Sequence, residues 1–299
     1  MVAEGLPKVS TFRLPTVVPK SQTSFPTTYA EGVCLCKGLN TIQLPTNHGG
    51  TAMKITLAEP SYLKESISVI SDLVSEGRFK ITPNGLELVA MDPANVAMVI
   101  FNLLSSCFSD YQVKETKEIA INLANLKQIL RRSKPSESLT LELGADNKLH
   151  VTLKSNSTRT FSLPLIETEE KEQRVPQLDF PLHITTHCDH LNEAIEDVGI
   201  VAESVTFVTE SDKFTLRAEG DVSKAQIEIP GGGDTVIALK GGRIKAKYSI
   251  EYLKKMMNGS KLTDTVEIFY NQDYPLKLEY KVVDKVMLSF ILAPRVEND

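Results

Sequence analysis

The chain has 299 residues, 41% hydrophobic and 24% charged, with a formal net charge of −5, which suits one large or two ordinary globular domains. No stretch approaches the run of about 18 apolar residues that spans a bilayer, and the first residues lack the basic-then-apolar order of a secretory signal, so the expected setting is intracellular, cytoplasmic or nucleoid, and nuclear in a eukaryote. Four cysteines without regular spacing exclude a disulfide framework in favour of reduced thiols; Cys107 and Cys188 read as packing residues. Acidic bulk charge gives no sign of nucleic-acid binding, a test that fails when charge is segregated.

Residues 1–52 hold 21 Pro, Ser, Thr or Gly, four basic and two acidic residues, and carry no helical or strand period. The expectation is a disordered extension or a mis-assigned start with initiation at Met53; a targeting leader is disfavoured by the lack of arginines. Cys34, Cys36 and His48 are one ligand short of a tetrahedral site.

From Met53 onward the sequence repeats. A shift of 128 lays Ile67 on Ile195, Ile70 on Val198, Phe79 on Phe207 and Leu88 on Leu216, and a shift of 127 lays Ser133-Lys134 on Ser260-Lys261, the mark of a duplicated domain. Each copy holds two amphipathic helices, as in Leu63, Ile67, Ile70 and Val74. Alternating segments such as "LTLELG", "KLHVTLKS", "FTLRAEG" and "LKLEYKV" read as strands of antiparallel sheets with one covered side. Between the copies, "ETEEKEQRVPQ" is charged and aperiodic, a solvated linker. The fold class is α+β with two similar domains, 53–163 and 179–299, joined by a connector over 164–178.

The stretch "HITTHCDH" at 183–190 invites a metal reading. The repeat opposes it, because Asp189 falls on Ser61, each just before a helix where a side-chain oxygen caps free amides. His183 and His187 share one strand face, whereas His190 begins a helix and Cys188 points elsewhere. A metal-dependent enzyme using His183, His187 and His190 is therefore the remote alternative, and no metal, cofactor or catalytic residue is nominated. "PGGGDT" at 230–235 lacks the Lys-Ser/Thr of a phosphate loop and reads as a turn.

Charge is segregated on two helices. Lys127, Arg131 and Lys134 form a stripe opposite Leu126, Ile129 and Leu130, and the second copy repeats it with Lys254, Asn258 and Lys261, Lys255 beside them. One such stripe is an ordinary solvated face; its recurrence in an acidic chain suggests a surface that meets phosphates without reading bases. No aromatic residue interleaves it, against single-strand stacking.

The segments "AMDPANVAMV" (90–99), "FSLPLIE" (161–167) and "LSFILAPRVE" (288–297), in this order and spacing, resemble the DNA polymerase sliding clamp family, proliferating cell nuclear antigen (PCNA), most closely its archaeal type. The likeness runs from Met53 to Asp299. It implies the DNA clamp fold, in which three subunits close a ring around double-stranded DNA, antiparallel sheets outside and two helices per domain facing the channel. The function implied is a processivity factor without chemistry of its own. Implied partners are a clamp loader and DNA polymerase, flap nuclease, ligase and other clients carrying a short interacting peptide, with no membrane.

Residue by residue, the resemblance assigns Lys64, Lys127, Arg131, Lys134, Lys254, Lys255 and Lys261 to DNA; the third helix, with "NEAIED", departs by being acidic. It assigns the client pocket to Met91, Val96, Met98, Val175, Pro176, Tyr274, Pro275, Ile291, Leu292, Ala293 and Pro294. Several of these read equally as core, and Ile291 replaces a tyrosine of many relatives. Ring closure joins an edge at about 156–163 to one at about 225–229, with Arg132, Lys134 and Arg159 facing Glu193 and Asp197 of the next subunit. A homotrimer is the first expectation and a subunit of a heterotrimer the second.

Overall fold

The computed structural model describes residues 53–167 and 173–295; the readings of residues 1–52 lie outside them. The first copy comprises β1 (Met53–Leu57), α1 (Ser61–Ile70), β2 (Glu76–Thr82), β3 (Gly85–Met91), β4 (Ala97–Leu104), β5 (Phe108–Gln112), β6 (Lys117–Asn122), α2 (Leu123–Leu130), β7 (Ser138–Leu143), β8 (Lys148–Lys154) and β9 (Thr158–Pro164). The second repeats that order as β10 (Leu182–His187), α3 (Cys188–Val198), β11 (Ser204–Glu210), β12 (Lys213–Glu219), β13 (Lys224–Pro230), β14 (Val236–Leu239), β15 (Ile244–Ser249), α4 (Ile250–Met257), β16 (Thr265–Tyr270), β17 (Leu276–Val282) and β18 (Val286–Leu292). The duplication holds down to register: Phe79 pairs with Leu88 across β2 and β3, and Phe207 with Leu216 across β11 and β12.

Three antiparallel sheets result, in the orders β5-β1-β7-β8-β9, β14-β10-β16-β17-β18-β4-β3-β2-β6 and β13-β12-β11-β15. The nine-stranded sheet crosses the repeat boundary at β18 and β4, which pair from Val286↔Leu103 to Leu292↔Ala97. Their equivalents in the other copies, β9 and β13, are instead sheet edges. The strands at the seam are apolar on both faces. In β4, Val99, Phe101 and Leu103 join the main core while Met98 and Ile100 face the other way; in β18, Leu288, Phe290 and Leu292 face the core and Met287 and Ile291 face outward. That alternation is the period-2 geometry of a strand covered on both sides.

The helices lie on the core side of the sheets. Helix α1 packs on α2 and α3 on α4, and the 3-10 turn Asn258–Lys261 after α4 reaches α1. Buried faces are Leu63, Ile67 and Ile70 on α1, Leu126, Ile129 and Leu130 on α2, Leu191, Ile195 and Val198 on α3, and Leu253, Met256 and Met257 on α4. Asn122 caps α2, its side chain accepting the Asn125 N–H at 2.9 Å. The caps expected from Ser61 and Asp189 are not formed. Ser61 lies inside α1, its hydroxyl donating to Glu59, and α3 is capped by His187, whose Nδ1 accepts the Asp189 N–H at 3.3 Å. An acceptor on the last strand residue reaches the first-turn amides, which Asp189, already helical, does not.

The two copies differ in what fills the core. Phe207 meets Phe214 edge-on at 5.1 Å, Tyr248 at 5.3 Å and Tyr270 at 5.8 Å, where the repeat puts the aliphatic Leu86, Ile121 and Leu143 at the matching positions of the first copy. Both buried tyrosines place their hydroxyls on partners: Tyr270 with Thr209 at 2.6 Å and Tyr248 donating to the Tyr274 carbonyl at 2.8 Å. Burial pushes both phenols well above the usual tyrosine value, as the loss of water disfavours phenolate. Phe207→Ala should cost about 3–5 kcal/mol in urea denaturation, the range for removing a buried aromatic side chain. A cost under 1 kcal/mol would show that the ring cluster does not hold the second copy together.

Candidate nucleic-acid and partner interfaces

Three groups of side chains are brought together by this framework. The first is cationic. On α2, Lys127 pairs with Asp72 at 2.7 Å and also donates to the Ser68 carbonyl at 3.0 Å; on α4, Lys254 pairs with Glu196 of α3. The two lysines are equivalent by the repeat but their acids are not, since Glu196 falls on Ser68, whose carbonyl Lys127 also reaches; both lysines brace one helix to its neighbour and are partly neutralised. Lys255 pairs with Glu251 at 2.8 Å on its own helix. Lys64 is half-buried, and Arg131, Lys134 and Lys261 are exposed. Among the described residues these four form no ion pair within the chain. The stripe expected from sequence is present, with its spare charge concentrated at the C-terminal ends of α2 and α4. Cations there also complement the negative ends of the helix dipoles.

The second group flanks the two edge strands. Arg131, Arg132, Lys134 and Arg159 line one open concavity beside β9, together with Glu137 and the 155–157 turn. Arg159 is not free for a neighbour: it donates to both carboxylate oxygens of Glu137, at 2.8 and 2.6 Å, and to the Arg132 carbonyl at 3.3 Å. Glu137 is buried, and the Lys134 N–H, the Ser155 hydroxyl and Arg159 together hold its carboxyl below the usual range against the upward pull of desolvation. Arg131, Arg132 and Lys134 are thus the exposed cations of the set. Across the molecule α3 packs on β13, and Glu193 and Asp197 are exposed on it; among the described residues neither forms an ion pair within the chain.

The third group is an apolar cluster separate from the core, on the outward face of the seam. Met98, Ile100 and Ile291 are its buried centre, with Val89, Met91, Met287 and the connector's Leu178 packed around it. It includes Met91, Met98 and Ile291 from the residues expected at the client pocket. Two others belong elsewhere: Leu292, one residue out of phase with the outward Ile291, is fully buried in the main core, and Val96, in the turn just before β4, packs against that core. Val175 and Pro176 are exposed, while Tyr274, Pro275, Ala293 and Pro294 are half-buried beside the seam, Ala293 donating its N–H to the Val96 carbonyl at 2.9 Å. Ile100, Val89, Met287 and Leu178 are additions. The unbroken apolar run "VAMVIF" (96–101) carries the signal for Ile100, since a strand apolar on both faces offers i and i+2 to each side.

The "HITTHCDH" side chains take separate hydrogen-bond partners, although the His187 and His190 rings lie 6.0 Å apart. His183 stacks on Phe269 at 4.4 Å and meets Glu267 at 3.1 Å, His187 caps α3, His190 meets Thr186 at 3.2 Å, and Cys188 is buried with its thiol on the Thr263 carbonyl. Burial raises the Cys188 pKa to about 12, so it is a thiol at neutral pH rather than a metal-ligating thiolate. Among the described residues no three His, Cys, Asp or Glu side chains are grouped to hold a metal ion, and no helix is long and apolar enough to cross a membrane.

Comparison with known proteins agrees with this arrangement. Residues 52–190 match the family described as proliferating cell nuclear antigen, N-terminal domain, and residues 174–295 its C-terminal domain. Relatives named DNA polymerase sliding clamp include those of Thermococcus gammatolerans, 37% identical over 78% of this chain and 94% of that one, and Nanoarchaeum equitans, 36% identical over 81% and 99%. Similar solved structures include PCNA of Thermococcus kodakaraensis, with TM-score 0.76 and 27% identity over 81% of this chain and 100% of that one. Another is a PCNA2–PCNA3 complex of Sulfolobus tokodaii, with TM-score 0.73 and 26% identity over 82% and 100%. The chain belongs to the proliferating cell nuclear antigen family of DNA polymerase sliding clamps.

Proposed function

We propose that this chain closes into a homotrimeric ring around double-stranded DNA and works as a non-enzymatic processivity factor, with clamp halves over 53–163 and 179–299 joined by the connector 164–178. The observation that carries the reading is the seam. Within the chain β18 pairs with β4, and the duplicated fold offers the same two strands again as unpaired edges, β9 and β13. An exposed edge is a template for another strand. Pairing β9 of one subunit with β13 of the next repeats the internal joint between chains. Phe161 and Leu163 on β9 and Ala225, Ile227 and Ile229 on β13 all point toward the core side, so the joint would extend the core as well as the sheet.

Charge supports self-closure over a mixed ring, since one chain carries both halves of a complementary pair: Arg132 and Lys134 beside β9, Glu193 and Asp197 beside β13. A heterotrimer is the second reading, favoured by the likeness to a complex of two different family chains. In either ring the channel wall would carry Lys64, Lys127, Arg131, Lys134, Lys254, Lys255 and Lys261. Such contacts are salt-sensitive and indifferent to sequence, which permits sliding. The apolar cluster under Leu178 suits an aromatic anchor from a polymerase, nuclease or ligase, a few residues in a desolvated patch carrying most of the affinity. Holding such a client on DNA raises its effective concentration without chemistry.

Two outcomes test this. In light scattering at moderate salt the chain alone should run at three times its 33.0 kDa subunit mass, and Glu193→Lys with Asp197→Lys should lower the mass toward that of one subunit. An intact trimer in the double variant would remove the ion pairs from the account of closure. In primer extension on a singly primed circular template, with a polymerase and loader from a related clamp system, the chain should lengthen products at least tenfold. Products no longer than with polymerase and loader alone would contradict the clamp reading.

A further inference from the structure

The turn between β3 and β4 is built around one carboxylate. Asp92 is 4% exposed, and its Oδ1 accepts the N–H groups of Val96 at 2.7 Å and Ala97 at 2.6 Å while Oδ2 accepts that of Ala94 at 3.1 Å. These bonds draw the chain through Asn95 at φ 57°, in the left-handed region, where asparagine is among the tolerated residues. The fourth bond comes from the other copy: the Tyr252 hydroxyl of α4 donates to Oδ2 at 2.7 Å. Burial drives the carboxyl upward, but the Ala97 amide, the Tyr252 hydroxyl and the Val96 and Ala94 amides outweigh it and hold Asp92 below its usual value. A carboxylate with that many donors stays ionised, and hydrogen bonds to it are the stronger kind.

The turn's two ends are walls of the outward cluster. Met91 immediately precedes Asp92, Met98 immediately follows Ala97 and pairs with Met91, and the Val96 carbonyl takes the N–H of Ala293 just past β18. Tyr252 is also held from the other side, with the Lys255 ammonium over its ring at 5.3 Å. The hydroxyl therefore fixes a turn that itself sets the spacing of Met91, Met98 and the chain after Ile291.

We infer that Tyr252 is a positioning residue for the client pocket: its hydroxyl, through Asp92, holds the 92–97 turn in the shape that lets the pocket accept an aromatic anchor. The inference rests on the reading of the Met98–Ile291 cluster as the client site. No other described side chain reaches Asp92 with a hydrogen bond, so nothing else on α4 takes the hydroxyl's place. The second copy has no such device. Its β12–β13 turn, Gly220 to Ser223, carries an exposed Asp221, and α2 has Asn125 where α4 has Tyr252.

The test uses the full-length assembled protein and a fluorescein-labelled amphipathic helical peptide bearing a Phe-Phe pair, with affinity read by anisotropy. Tyr252→Phe removes one oxygen and keeps the ring. It should weaken the peptide about tenfold, a loss of 1.4 kcal/mol, and speed hydrogen exchange at Val96 and Ala97 while leaving assembly mass unchanged. Asp92→Asn should cost less affinity in the Tyr252→Phe background than in the wild type, so that the double variant loses less than the sum of the two single losses in a double-mutant cycle. Peptide affinity within twofold of wild type, or a loss in Tyr252→Phe that is fully additive with Asp92→Asn, overturns the inference. Ile291→Asp is the control for the pocket: if it leaves peptide affinity intact, the client-site reading fails, whereas a loss there with none in Tyr252→Phe sinks the positioning role alone.

Discussion

A strand at the edge of a sheet presents backbone donors and acceptors that nothing in the sheet satisfies, and everything proposed for this protein depends on where its duplicated fold leaves such edges. One pair of strands, β4 of the first copy and β18 of the second, meets inside the chain and fuses the two copies into a nine-stranded sheet. The other pair, β9 and β13, has the same strand order around it and the same inward row of apolar side chains, yet ends in solvent. Proteins usually blunt such edges. Here they are flanked by opposite charges instead, which is the arrangement of two surfaces that recognise each other rather than of two surfaces kept apart.

The seam also explains why the apolar cluster lies where it does. Strands buried on one face alternate apolar and polar, but β4 and β18 are apolar on both, and among the described residues the second face is covered by Leu178 and the neighbouring strands' own side chains. A patch of that kind at the middle of a large sheet is stiff, because it inherits its geometry from the joint between the copies. The Asp92–Tyr252 bond crosses the same joint on its core side. The outward apolar face and the helix that carries Lys254 and Lys255 are thereby connected by one buried carboxylate.

Much of this was legible in the sequence. The shift that laid Phe79 on Phe207 and Leu88 on Leu216 corresponds to cross-strand pairs in both copies, because a duplicated core keeps its contact pairs while its surface drifts. The helix faces followed from period. What period could not give was the partner of a side chain. Lys127 and Lys254 read as free pore charges but are tied to Asp72 and Glu196, acids 55 and 58 residues away in the chain. Arg159 read as an interface cation and is committed to Glu137. The family resemblance assigns Val96 and Leu292 to the client pocket, yet strand alternation turns Leu292 into the core and the turn before β4 packs Val96 against it. The histidine run looked like chemistry by density alone, and only the fold shows its rings facing Phe269, the start of α3 and Thr186.

In the proposed ring the chain would hold DNA by encircling it, with weak contacts to the phosphates and none that reads a base. The most direct measurement loads labelled protein onto nicked circular DNA with a clamp loader, isolates the complex by gel filtration, and then cuts the circle once with a restriction enzyme. The account predicts that protein stays with the circle and leaves within minutes of linearisation, at a rate that blocking both DNA ends with bound protein abolishes. Equal retention on circular and open linear DNA would show binding to the duplex surface and contradict the ring.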